Sequence, residues 1–365
     1  MGSAAIAALA QRGCRVLGLE QYARGHDRGS SSGRSRMIRK AYYEHPAYVP
    51  LVLRAYAAWE ALEARTGLQI LQRTGVLMIG NDRSAALSGA RESARAHGLA
   101  LEALDAGQAR RRFPVFAMRD DETALFEPDG GMLFPERAIE AQLIVAEGAG
   151  AELRFETRAT AWGEGAHDRS LAIELGDGTA LRANRMILCA GPWTDAIAGA
   201  WSVPLSVRRN VQHWFAPRST RTRAGTMPAF FVDRPELAHP LYGFPDSGEG
   251  IKAAFHGSDE TSSADALDRE IHATDVDPVR EALEALVPGE IGAYRFGKAC
   301  MYTMTPDEHF VIGPHPRDAR AIAACGFSGH GFKFASALGE ILADLALDGG
   351  TDAEITLFSP ARRFR

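Results

Sequence analysis

The sequence predicts a mixed α/β fold, in which an α/β domain assembled from distant stretches of the chain carries an inserted β-rich domain. Three observations predict it. The chain opens on a helical pattern that runs into an apolar strand ending on an acid, residues 2–20. It closes on an apolar strand, a glycine-rich turn and a long apolar helix, residues 321–347. Between these ends, residues 205–302 read mostly as strand. The 365 residues, 46% hydrophobic and 24% charged, are enough for two domains and exclude a disordered chain, a collagen or a coiled coil.

Taken in order, an Ala-rich run follows Gly2-Ser3 as far as Gln11, and Gly13 stands where a helix would end. Residues 14–20 form an apolar strand ending on Glu20. Residues 24–36, rich in Gly, Ser and Arg, read as a loop suited to wrapping a polyanion or remaining mobile. Residues 46–65 set Tyr48, Leu51, Leu53, Tyr56, Trp59 and Leu62 near helical spacing, with Pro46 in the first turn. A short strand follows at 75–80, then helices at 84–97 and 105–112, the second with Asp105 as its N-cap. A helix at 137–147 leads to a strand at 151–155, and residues 171–181 form a hairpin around Gly176-Asp177-Gly178. The strand 185–189 runs through Ala190-Gly191-Pro192-Trp193 into a helix. One helix, near 279–286, interrupts the strand-rich stretch.

Charge and cysteine usage exclude several classes. The 41 Lys+Arg and 46 Asp+Glu leave 41 − 46 = −5, which gives no general attraction to nucleic acid or anionic membrane. Cys14, Cys189, Cys300 and Cys325 lie far apart with no C-x-x-C, against a disulfide scaffold or a zinc ribbon. No apolar stretch reaches the ~18–20 residues that span a bilayer. Residues 4–10 lack a basic stretch before them, so they are not read as a signal peptide. The expected setting is the reducing cytoplasm.

Five motifs carry the functional reading. A Rossmann unit runs strand, G-x-G-x-x-G turn, helix, strand, acid. The helix, the second strand and the acid are present here. Gly2 takes the place of the third glycine, and Glu20 lies 20 − 2 = 18 residues beyond it, near the ~20 expected of an acid that binds a ribose hydroxyl. The competing reading is an ordinary αβ unit with a solvated Glu20. In Gly297-Lys298-Ala299-Cys300-Met301-Tyr302-Thr303, Cys300 is either a small buried hydrophobe or a thiolate favoured by Lys298 if exposed to a site. In Gly326-Phe327-Ser328-Gly329-His330-Gly331-Phe332-Lys333-Phe334, three glycines allow the backbone to approach a flat or anionic ligand. Lys333 then stands at the positive end of the next helix, where it offsets no dipole and so serves a ligand anion. The competing reading is a helix-entry loop with a surface lysine. Arg36 and Arg39 would share a helix face and hold a carboxylate or phosphate, or else form a solvated basic patch. Asp307, Glu308, His309 and His315 resemble a metal cluster in composition only. Pro306, Pro314 and Pro316 make the segment a loop, and no metal site is expected.

Together these segments resemble the monomeric sarcosine oxidase and N-methyltryptophan oxidase family, FAD-dependent amine oxidases of the D-amino-acid-oxidase fold. The resemblance runs over essentially the whole chain. Its most specific stretches are Lys298 to Thr303 with Pro306-Asp307-Glu308-His309-Phe310, and Gly326 to Phe334. Arg36-Met37-Ile38-Arg39-Lys40-Ala41-Tyr42, Thr74-Gly75-Val76-Leu77 and Tyr242-Gly243-Phe244-Pro245 also match. The resemblance implies a Rossmann-like FAD-binding domain from 1–45, 137–204 and 303–365, with a substrate domain from 46–136 and 205–302.

The resemblance also implies roles. Cys300 takes the position of a cysteine bonded covalently to the flavin 8α-methyl. Lys333 and Arg39 match the pair that grips the substrate carboxylate. Lys252, in Gly250-Ile251-Lys252, matches a lysine beside flavin N5, where its charge stabilises developing superoxide. His256 and Tyr302 match residues lining the substrate side of the ring, Tyr242 a pocket wall, and Arg36 an arginine close to the flavin. Glu20 would hold the adenosine ribose, and Gly2, Ser35, Gly191, Gly329, Gly331 and Phe332 complete the cofactor-binding set. The implied reaction oxidises a secondary amino acid with dioxygen. The resulting imine hydrolyses to formaldehyde and the primary amino acid, and hydrogen peroxide is released. The implied partners are an N-methyl amino acid and oxygen, with no nucleic acid or membrane, and the implied state is a monomer.

The chain departs from the family pattern at its start. Members open on a strand of about ten residues and the first two glycines of the turn, whereas Met1-Gly2 falls where the turn ends. That strand is central in the sheet, so two neighbours are expected to lose backbone pairing. The expected start lies upstream of Met1; the rival is a truncated chain that binds FAD poorly. Beside the oxidase stand a flavin-free binding protein, a flavin dehydrogenase or an oxidase of a cyclic imino acid such as pipecolate, and an NAD-dependent dehydrogenase. Lys252 favours the oxidase over the dehydrogenase, and Cys300 disfavours NAD.

Overall fold

The computed structural model describes residues 1–165, 170–198 and 203–364. Its helices are α1 (Gly2–Gln11), α2 (Val49–Thr66), α3 (Ala85–His97), α4 (Ala106–Arg112), α5 (Pro135–Gly148), α6 (Thr194–Ala198), α7 (Ala273–Leu286) and α8 (Ala335–Asp348). Their ends follow from local chemistry. The Ser84 side chain accepts from the Leu87 amide at 3.1 Å and opens α3, and Gly98 closes it in the left-handed region. Asp105 and Gln108 form a reciprocal capping box on α4.

Two layers build the half of the molecule that holds the chain's start. Helices α1, α2, α5 and α8 pack together, with α1 against both α5 and α8. The approach is close because α1 offers alanines and α8 offers Gly339, where a Cβ would lie 2.6 Å from Ala4. Trp59 of α2 is fully buried in this core, beside Tyr48, Phe310, Phe334 and Phe358. Beneath lie a parallel pair, Leu17–Leu19 with Glu152–Arg154, and a three-stranded sheet in the order Met186–Leu188, Asp318–Cys325, Val311–His315. Among the described residues, Leu17–Leu19 and Met186–Leu188 each pair along one side only. Both strands border the same cavity. The strand expected over 14–20 is therefore short, because a two-stranded ribbon holds only its paired residues in ladder geometry. The hairpin Leu171–Leu175 and Ala180–Ala183 is completed by Ala159–Glu164.

The other half is a nine-stranded sheet. Its long strands Ser206–Pro217 and Ile291–Met304 pair antiparallel, and Ile251–Phe255, Leu241–Phe244, Ala229–Asp233 and Val76–Gly80 follow across it. Helix α7 covers one face through Val276, Val279, Leu283 and Leu286. Arg36 lies on another small sheet, Arg36–Ile38 with Gly131–Leu133 and Leu71–Arg73, and Arg39 follows the first of these strands. The two arginines are thus not on a helix, and they face different partners, as described below. Among the described residues, no helix is long and apolar enough to cross a membrane.

Candidate active site

One continuous cavity of about 1510 Å³ runs between the two halves. It reaches from Gly2 at the start of α1 and Glu20, past Arg36, Gly191 and Gly329, to Arg39, Glu44, Phe231, Tyr242, His256, Tyr302 and Lys333. The nine-stranded sheet supplies Tyr242 and Tyr302, His256 directly follows its strand Ile251–Phe255, and the turn before α8 supplies Lys333.

Two buried cations mark the far end. Arg39 is 4% exposed and pairs with Glu44 at 2.9 Å. Its guanidinium packs on the rings of Tyr43, Tyr42 and Phe231 at 4.5, 5.0 and 5.9 Å. Arg39 Nε and Glu44 Oε1 are buried with no hydrogen-bond partner. Lys333 Nζ donates to the His330 carbonyl at 2.9 Å and to the Tyr42 hydroxyl at 3.4 Å. Burial, and then the Arg39 charge, lower the Lys333 pKa to about 7 against the pull of Glu44. An anion that pairs with both cations and fills the unpaired Nε relieves this cost.

Aromatic walls stand beside the cations. The His256 ring meets Phe231, Tyr302 and Tyr242 edge-on, with centroids 5.9, 5.9 and 6.0 Å away. Burial drives the His256 pKa down to about 3, so the imidazole is neutral throughout the physiological range. Burial likewise raises the pKa values of Tyr242 and Tyr302.

Arg36 organises a second cluster. Its guanidinium donates to the carbonyls of Ser35 at 2.9 Å, Ser30 at 3.2 Å and Ser32, and lies 3.7 Å from Cys300 Sγ. Lys252 Nζ donates to the Gly33 and Ser35 carbonyls at 2.7 and 2.8 Å and lies over the Trp214 and Phe244 rings. Burial, then the Arg36 charge, push the Lys252 pKa well below its usual value. Cys300, Lys252 and Ser35 do not line the cavity, whereas Arg36 does. The cation beside the thiol is Arg36. Lys298, expected to play that part, instead pairs with Asp27 at 3.3 Å. Arg36 and Arg39 accordingly serve two clusters and do not grip one anion together.

The cavity from Gly2 and Glu20 to Ser30 and Thr303 fits an elongated dinucleotide. Ser30 Oγ and Thr303 Oγ1 are buried with no partner in residues that line the cavity. Glu20 accepts from the Tyr22 amide at 2.9 Å and lies 3.4 Å from His26 Nε2. Gly191 (φ +54°) has open space where a Cβ would stand, and at Gly2 the nearest atom is Cys189 Cβ at 3.6 Å. Gly329 and Gly331 differ from the expectation of room for a ligand. A Cβ on Gly329 would lie 2.4 Å from the Tyr302 ring, and one on Gly331 2.5 Å from Phe327, so these glycines admit the protein's own aromatic rings. Phe332 stacks on Trp59 at 5.9 Å. Glu44, Tyr42 and His330 join the site with no role foreseen for them, since nothing in their local pattern signals partners far along the chain.

Comparison with known proteins gives a consistent picture. A family model described as FAD dependent oxidoreductase (DAO) matches residues 1–345. Monomeric sarcosine oxidase of Streptomyces avermitilis is 40% identical over 368 residues, covering 99% of this chain and 95% of that protein. Monomeric sarcosine oxidase of a Bacillus species is 36% identical over 366 residues, covering 98% and 93%. N-methyl-L-tryptophan oxidase of Yersinia pestis is 35% identical over 364 residues, covering 99% and 96%. Among solved structures, NikD, an unusual amino acid oxidase essential for nikkomycin biosynthesis, superposes with a TM-score of 0.85 at 22% identity, covering 100% of this chain and 96% of that one. L-proline dehydrogenase from P. horikoshii superposes with a TM-score of 0.84 at 20% identity, covering 99% and 94%. At these identities the structural likeness is one of fold.

Proposed function

The chain belongs to the DAO family of FAD-dependent oxidoreductases, and from that premise we propose that it oxidises a secondary, N-methyl amino acid such as sarcosine or N-methyltryptophan, with dioxygen as electron acceptor. The observation that carries this reading is the pair of buried cations, Arg39 and Lys333, at the end of the cavity beside neutral His256, Tyr242 and Tyr302. Two cations without enough anion select a carboxylate. Aromatic walls suit the small apolar group on the amine nitrogen. The three curated relatives reported above are named for substrates of this kind, N-methyl amino acids.

When bound, FAD supplies the two-electron acceptor for the amine and is returned to its oxidised state by oxygen. The chain's own residues then bind, orient and set charge. Arg39 and Lys333 hold the carboxylate. Their positive field disfavours a second cation nearby, so the substrate nitrogen is held neutral and its lone pair is available. His256 remains neutral and adds no competing charge. Glu20, Ser30 and the amides at the start of α1 would hold FAD. Lys252, its pKa lowered by burial, would place positive charge where negative charge develops during oxygen reduction. Cys300, buried behind the cavity wall beside Arg36, would be the covalent anchor of the cofactor. The enzyme acts as a monomer in the cytoplasm, a setting consistent with four free cysteines.

The test combines acid precipitation with a peroxide assay. Yellow flavin remains in the pellet of the wild type and leaves the pellet of Cys300→Ala. Sarcosine, N-methyltryptophan and pipecolate are then screened for peroxide and formaldehyde. Release of both from an N-methyl amino acid supports the reading. Flavin-loaded protein that yields no peroxide from any N-methyl amino acid refutes it, and flavin in the wild-type supernatant refutes the role of Cys300.

A further inference from the structure

His330 lies in the glycine-rich turn before α8 and is 6% exposed. Its Nε2 stands 3.0 Å from the backbone carbonyl of Glu308. A carbonyl oxygen only accepts, so Nε2 carries the ring proton. Burial holds the imidazole neutral, its pKa well below the usual value. Nδ1 therefore presents a lone pair, and the Tyr42 hydroxyl stands 2.6 Å away. That hydroxyl has one proton. It goes to Nδ1, because the only other acceptor within reach among the described residues, the His330 carbonyl, is 3.4 Å away and already accepts from Lys333 at 2.9 Å. The Tyr42 oxygen is left as an acceptor facing Lys333 Nζ at 3.4 Å.

Every donor and acceptor in this chain is thus set by its far end. The Glu308 carbonyl fixes the tautomer, the tautomer fixes the hydroxyl, and the hydroxyl offers a lone pair to the ammonium. The opposite tautomer would have Nδ1 donate to the Tyr42 oxygen and occupy a lone pair that otherwise faces Lys333. Lys333 Nζ is gripped at two points by one unit, Tyr42 and the His330 backbone, which leaves its third N–H for the cavity. The Tyr42 ring also lies under both cations, 5.0 Å from Arg39 and 4.9 Å from Lys333.

We propose that His330, acting through the Tyr42 hydroxyl, is a positioning residue that aims the Lys333 ammonium at the substrate carboxylate. This rests on the reading of Arg39 and Lys333 as the carboxylate site. The test uses flavin-loaded enzyme and two readouts. The first is the dissociation constant of propionate, a carboxylate with no amine, followed by the flavin absorbance. The second is kcat/KM for an N-methyl amino acid against the matching amine without its carboxylate. His330→Leu and Tyr42→Phe are expected to weaken propionate about tenfold, the scale of one hydrogen bond to a charged group. They should lower kcat/KM for the amino acid far more than for the carboxylate-free amine. His330→Asn, which keeps an acceptor toward Tyr42, should recover most of the loss.

Unchanged propionate affinity in Tyr42→Phe and His330→Leu would overturn the proposal. So would equal losses on both amines, the mark of a merely structural role. If His330→Leu fails to hold flavin, Tyr42→Phe decides alone, since it keeps the ring and removes only the hydroxyl. Lys333→Met separates the two layers. If it leaves propionate affinity intact, the carboxylate site itself is wrong. If it abolishes binding while the other variants leave propionate affinity unchanged, only the positioning role falls.

Discussion

Replacing Lys333 with methionine removes a cation from surroundings that oppose its charge. The native pKa is lowered from 10.5 to about 7, a difference of 10.5 − 7 = 3.5. At about 1.36 kcal/mol for each pKa unit, the charged form costs the folded state about 5 kcal/mol. Methionine is similar in volume and needs no partner. It forfeits the hydrogen bonds to the His330 carbonyl and the Tyr42 hydroxyl, together about 2 kcal/mol, so the expected net gain near pH 6 is about 3 kcal/mol. The sign of the pH dependence follows from proton counting. Below pH 7 the lysine is charged folded and unfolded, and the full cost applies. Between about 7 and 10.5 the unfolded chain binds the proton and the folded chain does not, so wild-type stability rises with pH through this group at about 1.36 kcal/mol per unit. The gap between variant and wild type should therefore shrink by about 2 to 3 kcal/mol from pH 7.5 to 9.5. Urea unfolding of both proteins, at equal flavin load and in buffers free of carboxylate, measures it. A gap that is constant over that range would show that Lys333 is an ordinary charged lysine, and the reasoning from burial would fail. A more stable variant that no longer binds carboxylates would locate the cost of function at one side chain.

Two further outcomes are expected. Gly329→Ala places a methyl 2.4 Å from the Tyr302 ring at a residue with φ +79°, so it should displace Tyr302 and cut kcat/KM by about tenfold or more, on the scale of a misplaced site residue; wild-type kinetics in the variant would refute the packing. Arg234→Leu strands Glu122, its buried partner at 2.6 Å, and should cost about 3–5 kcal/mol in thermal unfolding, most of it recovered in the double variant Arg234→Leu, Glu122→Leu.

Much of the fold was legible because its signals are local. The alanine run of α1, the Asp105 cap and the hairpin turn at 176–178 each act within a few residues. The site was legible in part. Arg39, Lys333, Tyr242, His256 and Tyr302 come together in one cavity, while Cys300, Lys252 and Ser35 gather behind it around Arg36. Spacing alone misled where a tertiary partner intervened. Asp27 takes Lys298 away from Cys300, and a strand in place of a helix separates Arg36 from Arg39. The glycines at 329 and 331 were rightly conspicuous, but the neighbours that require them are Tyr302 and Phe327.

Periodicity, caps and turns are properties of adjacent residues, so element types follow from the chain read alone. So does the supply of chemistry: which positions carry a cation, a thiol or an imidazole. Charge state and partnership are different in kind. Lys333 is an ordinary lysine until Trp59, Phe334 and Tyr42 exclude water from it, and its pKa falls only because those side chains arrive from other elements. Glu44 becomes the buried partner of Arg39, and His330 the anchor of Tyr42, through contacts between segments far apart in the chain. Desolvation and close packing are set by what surrounds a group in space, and only the folded structure decides that.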